Sequence, residues 1–214
     1  MKAFFFDLDG TLIDSRRDLS ATVNHTRRDL GLEALSVEAV LKNVGCGAKY
    51  LLSKSIPEKP DEVERLWEIF RSHYAEHMLE SCELYPTVHE TLFELKRRGY
   101  LLGVNTSKPA FATRAILEHF GLKELFGEGV VAGGDLAEMK PSAAPLLECA
   151  RRLGHTLTPE DWMVGDSWTD LECAANAGVK GAFCAFGFGD ARKAKIDLSL
   201  DQMKDLLEIA APNA

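Results

Sequence analysis

Five short apolar runs recur along the chain: Ala3 to Phe6, Leu101 to Asn105, Gly129 to Ala132, Trp162 to Val164 and Gly181 to Phe186. Each is continuous rather than alternating. A strand with one face in water alternates apolar and polar residues, whereas a strand covered on both faces does not. The runs are therefore expected to be buried parallel strands. Helical patterns separate most of them. Thr87-Val88-His89-Glu90 has the form of a capping box, opening a helix that stops at Gly99. Pro109 suits the first turn of a helix ending near Gly121, and Pro141 that of one ending near Gly154. Asp170 to Ala177 reads as a short helix stopped by Gly178. Strand and helix alternate from about residue 84 onward, which predicts a doubly wound α/β sheet.

Residues 15–82 break that alternation and show no strand pattern. Arg16 to Leu30 is helical and stops at Gly31; Ser36 to Val44 is a second helical stretch, and a third follows Gly47. Asp61 to Met78 is the longest, with Val63, Leu66, Trp67, Phe70 and Tyr74 at helical spacing on one side. The pattern predicts two domains, a discontinuous α/β core at 1–14 and 83–214 and an all-helical insertion at 15–82.

Composition excludes several classes. The chain of 214 residues is 46% hydrophobic and 27% charged, which is ample for a core and argues against disorder. With 33 acidic and 25 basic residues it carries a formal charge of −8, which disfavours general nucleic-acid binding. No apolar run approaches the roughly 18 residues of a membrane span, and Ala3 to Phe6 is too short for a signal-peptide core. Cys46, Cys82, Cys149, Cys173 and Cys184 are odd in number, scattered and free of any CxxC pattern. Free thiols in the cytoplasm are the expectation.

Ligands of an open α/β sheet bind beyond the carboxyl ends of its strands. After the first strand comes Asp7-Leu8-Asp9-Gly10-Thr11, and after the second Thr106-Ser107-Lys108-Pro109. After the third, a loop runs through Gly133-Gly134-Asp135 to Lys140-Pro141; after the fourth comes Gly165-Asp166-Ser167-Trp168-Thr169-Asp170. Clustered carboxylates repel one another unless a cation neutralises them, and all-oxygen ligation suits Mg²⁺. A lysine and a hydroxyl facing such an ion could hold phosphate oxygens. One carboxylate could attack phosphorus, and a second, two residues on, could protonate the leaving oxygen.

These segments resemble motifs of the haloacid dehalogenase superfamily phosphatases. Asp7-Leu8-Asp9-Gly10-Thr11 is similar to the first motif, Thr106 to the second, Lys140 to the third and Gly165-Asp166 with Asp170 to the fourth. The resemblance implies a Mg²⁺-dependent phosphatase with Asp7 as nucleophile, Asp9 as acid/base, and Thr106 and Lys140 as catalytic partners. It implies a metal site at Asp7, the Asp9 carbonyl and Asp166, with Asp170 in support. It places the family's helical cap at 15–82. Gly10, Thr11, Ser107 and Lys108 would contact the substrate, as would the cap loop Gly45-Cys46-Gly47 with Lys49. The resemblance extends to bacterial phosphoglycolate phosphatases through Asp14-Ser15, Gly45-Cys46-Gly47-Ala48, Thr106-Ser107-Lys108-Pro109 and Lys140-Pro141 with Pro145-Leu146-Leu147. Ser107 stands where relatives usually carry Asn, and Trp168 is bulkier than usual. The resemblance implies a small phosphorylated metabolite as partner, 2-phosphoglycolate first, while the two departures leave the substrate's identity open. Another sugar phosphate, a nucleotide or pyrophosphate stays open, as does a phosphomutase resembling β-phosphoglucomutase. A dehalogenase would lack Asp9. A response-regulator receiver would be about half this length, without the second aspartate. A non-catalytic binding protein would lack a required group, and none is missing. A monomer or a homodimer is expected, without nucleic-acid or membrane partners.

Two further features read as structural. His73-Tyr74-Ala75-Glu76-His77 has the HxxEH spacing of a zinc helix, but the sequence indicates no third ligand, so an exposed polar helix face is expected. Cys46 has no histidine placed beside it to activate a thiol.

Overall fold

The computed structural model describes residues 2–210. Among these, six parallel strands form one sheet: β1 (Ala3–Phe6), β4 (Leu101–Pro109), β5 (Val130–Gly133), β6 (Trp162–Gly165), β7 (Lys180–Cys184) and β8 (Leu198–Leu200). Their order is β5-β4-β1-β6-β7-β8. β1 is central, with Phe4 in register with Leu102 on one side and Trp162 on the other. Its continuous apolar run follows from this position. Phe4 and Phe6 enter one core with Leu92, Leu95, Leu102, Val104 and Leu206, while Ala3 and Phe5 enter the opposite one with Leu146, Cys149, Met163 and Cys173. The helices α5 (Val88–Arg97) and α10 (Leu206–Ile209) supply the first core, and α8 (Ala144–Arg152) and α9 (Trp168–Ala177) the second. The fold is a doubly wound α/β sheet whose strand order reverses at β1, and the crevice for a ligand lies there.

Residues 15–82 form α1 (Arg16–Asp29), α2 (Val37–Leu41), α3 (Ala48–Ser55) and α4 (Val63–His77). These helices have their own core of Leu19, Val23, Val40, Leu51, Leu52, Ile56, Leu66, Phe70 and Tyr74, completed by Ala112 of α6 (Ala110–His119). The Arg27 side chain is buried and ties α1 to the end of α3, donating to Ser55 O at 2.6 Å and to Glu58 Oε1 at 3.1 Å. Two short antiparallel strands, β2 (Ile13–Asp14) and β3 (Glu83–Leu84), pair where the chain leaves the sheet and returns to it. Among the described residues, no helix is long and apolar enough to cross a membrane.

Several boundaries differ from expectation for local reasons. Thr87 forms no capping box: it sits at φ 66°, and its hydroxyl accepts the Lys204 N–H at 3.1 Å. The helix expected from Pro141 begins at Ala144, with Pro145 in its first turn, and the Lys140–Pro141 bond is cis. The second helical stretch contracts to five residues behind the Ser36 cap, whose hydroxyl accepts the Ala39 N–H. β4 runs on to Pro109 with a break in register after Asn105, and β7 stops at Cys184 rather than Phe186. α7 (Lys123–Phe126) and the edge strand β8 are too short to show a period.

Candidate active site

The end of β1 is pinned before it turns: the Asp7 N–H donates to Val164 O at 2.9 Å. Leu8 O then accepts the N–H groups of Thr11, Leu12 and Ile13, folding Asp7 to Ile13 into a tight loop. Gly10 makes this loop possible. Its φ is +77°, and a Cβ there would lie 1.8 Å from Asp166 Oδ2. Asp7 and Asp9 consequently line one cleft beside Asp166.

Each of the two aspartates meets its own buried lysine. Lys140 Nζ lies 2.9 Å from Asp7 Oδ1 and 2.6 Å from Asp170 Oδ1. Lys108 Nζ lies 2.6 Å from Asp9 Oδ1 and also donates to the Tyr74 hydroxyl of α4. Burial alone would push both lysines down. The carboxylates of Asp170 and Asp7 around Lys140, and of Asp9 around Lys108, outweigh it and hold both ammoniums above their ordinary range. Ser15 Oγ donates to Asp9 Oδ1 at 2.5 Å.

Asp166 is held from the opposite side. Its Oδ2 accepts the N–H groups of Phe188 at 3.0 Å and Gly189 at 2.7 Å. Burial, reinforced by Asp170 and Asp7, raises its carboxyl well above the usual range. Asp170 is fully buried, with one oxygen on Lys140 and the other accepting the Ser167 N–H at 3.0 Å. Burial raises its carboxyl above the usual range, against the pull of Lys140. Carboxylate oxygens of Asp7, Asp166 and Asp170 lie within 4.8 Å of one another. Among the described residues Asp7 Oδ1 accepts no hydrogen bond of good geometry, although it is buried. A hard divalent cation suits this donor set, because four carboxylates face only two ammoniums here and three of them bring oxygens within 4.8 Å of one another.

Thr106, Ser107, Lys108, Gly45 and Gly47 line the same cleft. Thr106 Oγ1 accepts the Lys108 N–H at 3.2 Å, and the buried Ser107 hydroxyl has no hydrogen-bond partner among the described residues. Gly45 has φ 110°, and its Cβ would stand 3.3 Å from Ser167 Oγ, so the loop passes close over the start of α9. Lys140 and Asp170 sit behind the cleft rather than lining it, and Gly10 and Thr11 are buried away from it. Cys46 and Lys49 line a neighbouring hollow with Tyr50, Trp67 and Met139. Lys49 Nζ is bound there by Glu64 at 2.6 and 2.8 Å. Burial pushes the Cys46 thiol up, against a nucleophilic role. The Trp168 ring lies under the Arg192 guanidinium at 4.4 Å.

Sequence reasoning missed Tyr74, Ser15 and the loop that clamps Asp166. Tyr74 was hidden in an apolar helical stripe. The Gly187-Phe188-Gly189 stretch carried a usable signal, because glycines just after a strand mark close backbone approach.

Known proteins resemble this chain over nearly its whole length. The model of the haloacid dehalogenase-like hydrolase family matches residues 4–184. The phosphoglycolate phosphatase of Chromobacterium violaceum is 36% identical over 98% of this chain and 96% of its own length. That of Aquifex aeolicus is 34% identical over 98% of this chain and 96% of its own length. A solved structure of a predicted phosphoglycolate phosphatase from Haemophilus somnus superposes with a TM-score of 0.91 at 32% identity, covering 99% of this chain and 98% of its own. The chain belongs to the haloacid dehalogenase-like hydrolase family.

Proposed function

We propose that this phosphatase hydrolyses a small phosphomonoester, 2-phosphoglycolate foremost, through a phosphoryl group carried transiently on Asp7. The observation that carries this reading is that Asp7 and Asp9 line one cleft, Asp9 paired there with Lys108 and Asp7 backed by Lys140 from behind. Lys140, held by Asp170, fixes the Asp7 carboxylate in place as the nucleophile. An Asp7 oxygen attacks phosphorus; the bond from phosphorus to the alcohol oxygen breaks, and Asp9 gives that oxygen its proton. Water then attacks phosphorus, Asp9 takes the proton back, and Asp7 is released with inorganic phosphate. Such an acid/base contributes about 10²–10⁴-fold. Lys108, Thr106 and Ser107 would bind the phosphoryl oxygens. Mg²⁺ would be held by Asp7, the Asp9 carbonyl and Asp166, with Asp170 behind. Bound there, the ion would neutralise charge and polarise the phosphoryl group.

Residues 15–82 act in this reading as a cap over the core formed by 1–14 and 83–214. Leu19, Leu41, Val44, Leu51 and Phe70 line the cleft from the cap side and would keep bulk water from the phosphorylated intermediate. The start of α3 also reaches the cleft through Gly47 and Ala48. A helix N-terminus favours an anion, and 2-phosphoglycolate has a carboxylate to offer. The expected setting is the cytoplasm, as a monomer or homodimer.

The test is phosphate release from 2-phosphoglycolate beside sugar phosphates, nucleotides and pyrophosphate, with Mg²⁺ and with EDTA. Selective Mg²⁺-dependent release from 2-phosphoglycolate supports the whole reading. Release from another compound keeps the chemistry and moves the substrate, and no release contradicts it.

A further inference from the structure

His73 and His77 stand one turn apart on α4, and helical residues four apart share a face. The third histidine that the sequence did not indicate comes from α1. The His25 ring centroid lies 5.4 Å from that of His73 and 5.3 Å from that of His77. One ring nitrogen of each histidine lies within 4.8 Å of those of the other two. All three rings are half-buried rather than fully exposed. The expected plain polar face is therefore a three-imidazole cluster joining two helices.

The surroundings of these rings are those of metal ligands. His73 Nε2 is 2.7 Å from Asp29 Oδ2, and His77 Nδ1 is 2.7 Å from Glu80 Oε1. A carboxylate on one ring nitrogen fixes the ring and leaves the other nitrogen to bind a metal. His25 Nδ1 is buried and has no hydrogen-bond partner among the described residues. Burying such an atom unpaired is costly unless something binds it.

We propose that His25, His73 and His77 form a binding site for a divalent transition metal of the zinc class, bridging α1 and α4. Three imidazoles with one open position suit zinc, cobalt, nickel or copper and are poor ligands for Mg²⁺. The site is therefore chemically distinct from the carboxylate cluster and independent of the catalytic proposal. Tetrahedral ligation needs nitrogens about 3.4 Å apart, at metal–nitrogen distances near 2.0–2.1 Å. The ring nitrogens lie within 4.8 Å of one another, so binding draws the three rings closer together. A metal there fastens α1 to α4, the helix that carries Tyr74 to Lys108.

Cobalt(II) is the probe, added to the full chain and followed by visible absorption. The wild type and Asp166→Asn are both expected to show the tetrahedral spectrum of one equivalent, free of thiolate charge transfer, whatever further cobalt the wild type's carboxylates take up. His25→Gln and His73→Gln are expected to lose that spectrum while keeping their far-ultraviolet dichroism. Zinc should raise the Tm of Asp166→Asn and leave that of the Asp166→Asn, His25→Gln double variant unchanged. X-ray absorption of the zinc-loaded wild type checks the ligands without any variant, and a shell of imidazole nitrogens is expected. A cobalt spectrum that survives both histidine substitutions, one that disappears in Asp166→Asn, a sulfur shell, or no binding at all would overturn the proposal.

Discussion

Lys108 Nζ lies 2.6 Å from Asp9 Oδ1 and donates to the Tyr74 hydroxyl, so one buried ammonium joins the end of β4, the Asp9 loop and the helical insertion. Replacing Lys108 by Met should remove the cation nearest Asp9 and lower kcat/KM about 10²-fold or more. Tyr74→Phe keeps the ring in its core and removes only the acceptor. A smaller loss is expected from it, several-fold. Steady-state kinetics on the two variants check the order; equal losses would contradict it.

Gly10 and Gly31 separate crowding from backbone conformation. Both have positive φ, +77° and +71°, but only Gly10 has Asp166 where a Cβ would go. Gly31→Ala should cost about 1–2 kcal/mol, the left-handed penalty alone. Gly10→Ala should cost more and abolish activity, because the Asp166 carboxylate must move. Thermal denaturation and phosphate release together read both effects.

Lys140 is the buried cation between Asp7 and Asp170. Lys140→Met leaves those carboxylates facing each other, and removing one partner of a buried pair costs about 3–5 kcal/mol. Mg²⁺ should therefore raise the Tm of Lys140→Met more than that of the wild type. An equal or smaller shift would argue against a cation among these carboxylates.

Acid stability has a marker away from the cleft. Hydrogen bonds from Arg97 and Arg98 hold the Glu94 carboxyl down at about 2. Arg98 also donates to Leu207 O at 2.8 Å and Ala210 O at 2.6 Å, fastening the chain end to α5. A depressed carboxyl stabilises the fold above its unfolded pKa, near 4.3 for Glu. That contribution is lost as pH falls through the folded value. Glu94→Gln should lower Tm slightly at neutral pH, with the two proteins converging between about pH 4 and 2. A constant offset down to pH 2 would contradict the assignment.

The sheet was legible because Ala3 to Phe6 has cores on both faces, a condition that writes itself as an unbroken apolar run. Asp7, Asp9 and Asp166 were legible because they come within three residues of a strand's end, Lys108 because it closes β4, and Lys140 and Asp170 because they lie in the segments that lead on from β5 and β6. Tertiary partners were not. Thr87 satisfies the spacing of a capping box, yet Lys204, distant in sequence, claims its hydroxyl. Tyr74 repeats the spacing of Phe70, and nothing local marks that its hydroxyl meets Lys108. His25 joins His73 and His77 only because α1 packs on α4, which no spacing within either helix records.

The most direct test of the mechanism is rapid acid quench during turnover of 2-phosphoglycolate with Mg²⁺, followed by peptide mass spectrometry. A phosphoryl group on the Asp7 peptide, absent from an Asp7→Asn variant that folds but does not turn over, is the predicted result. Near-normal phosphate release by Asp7→Asn, with no phosphorylated peptide in either protein, would contradict it.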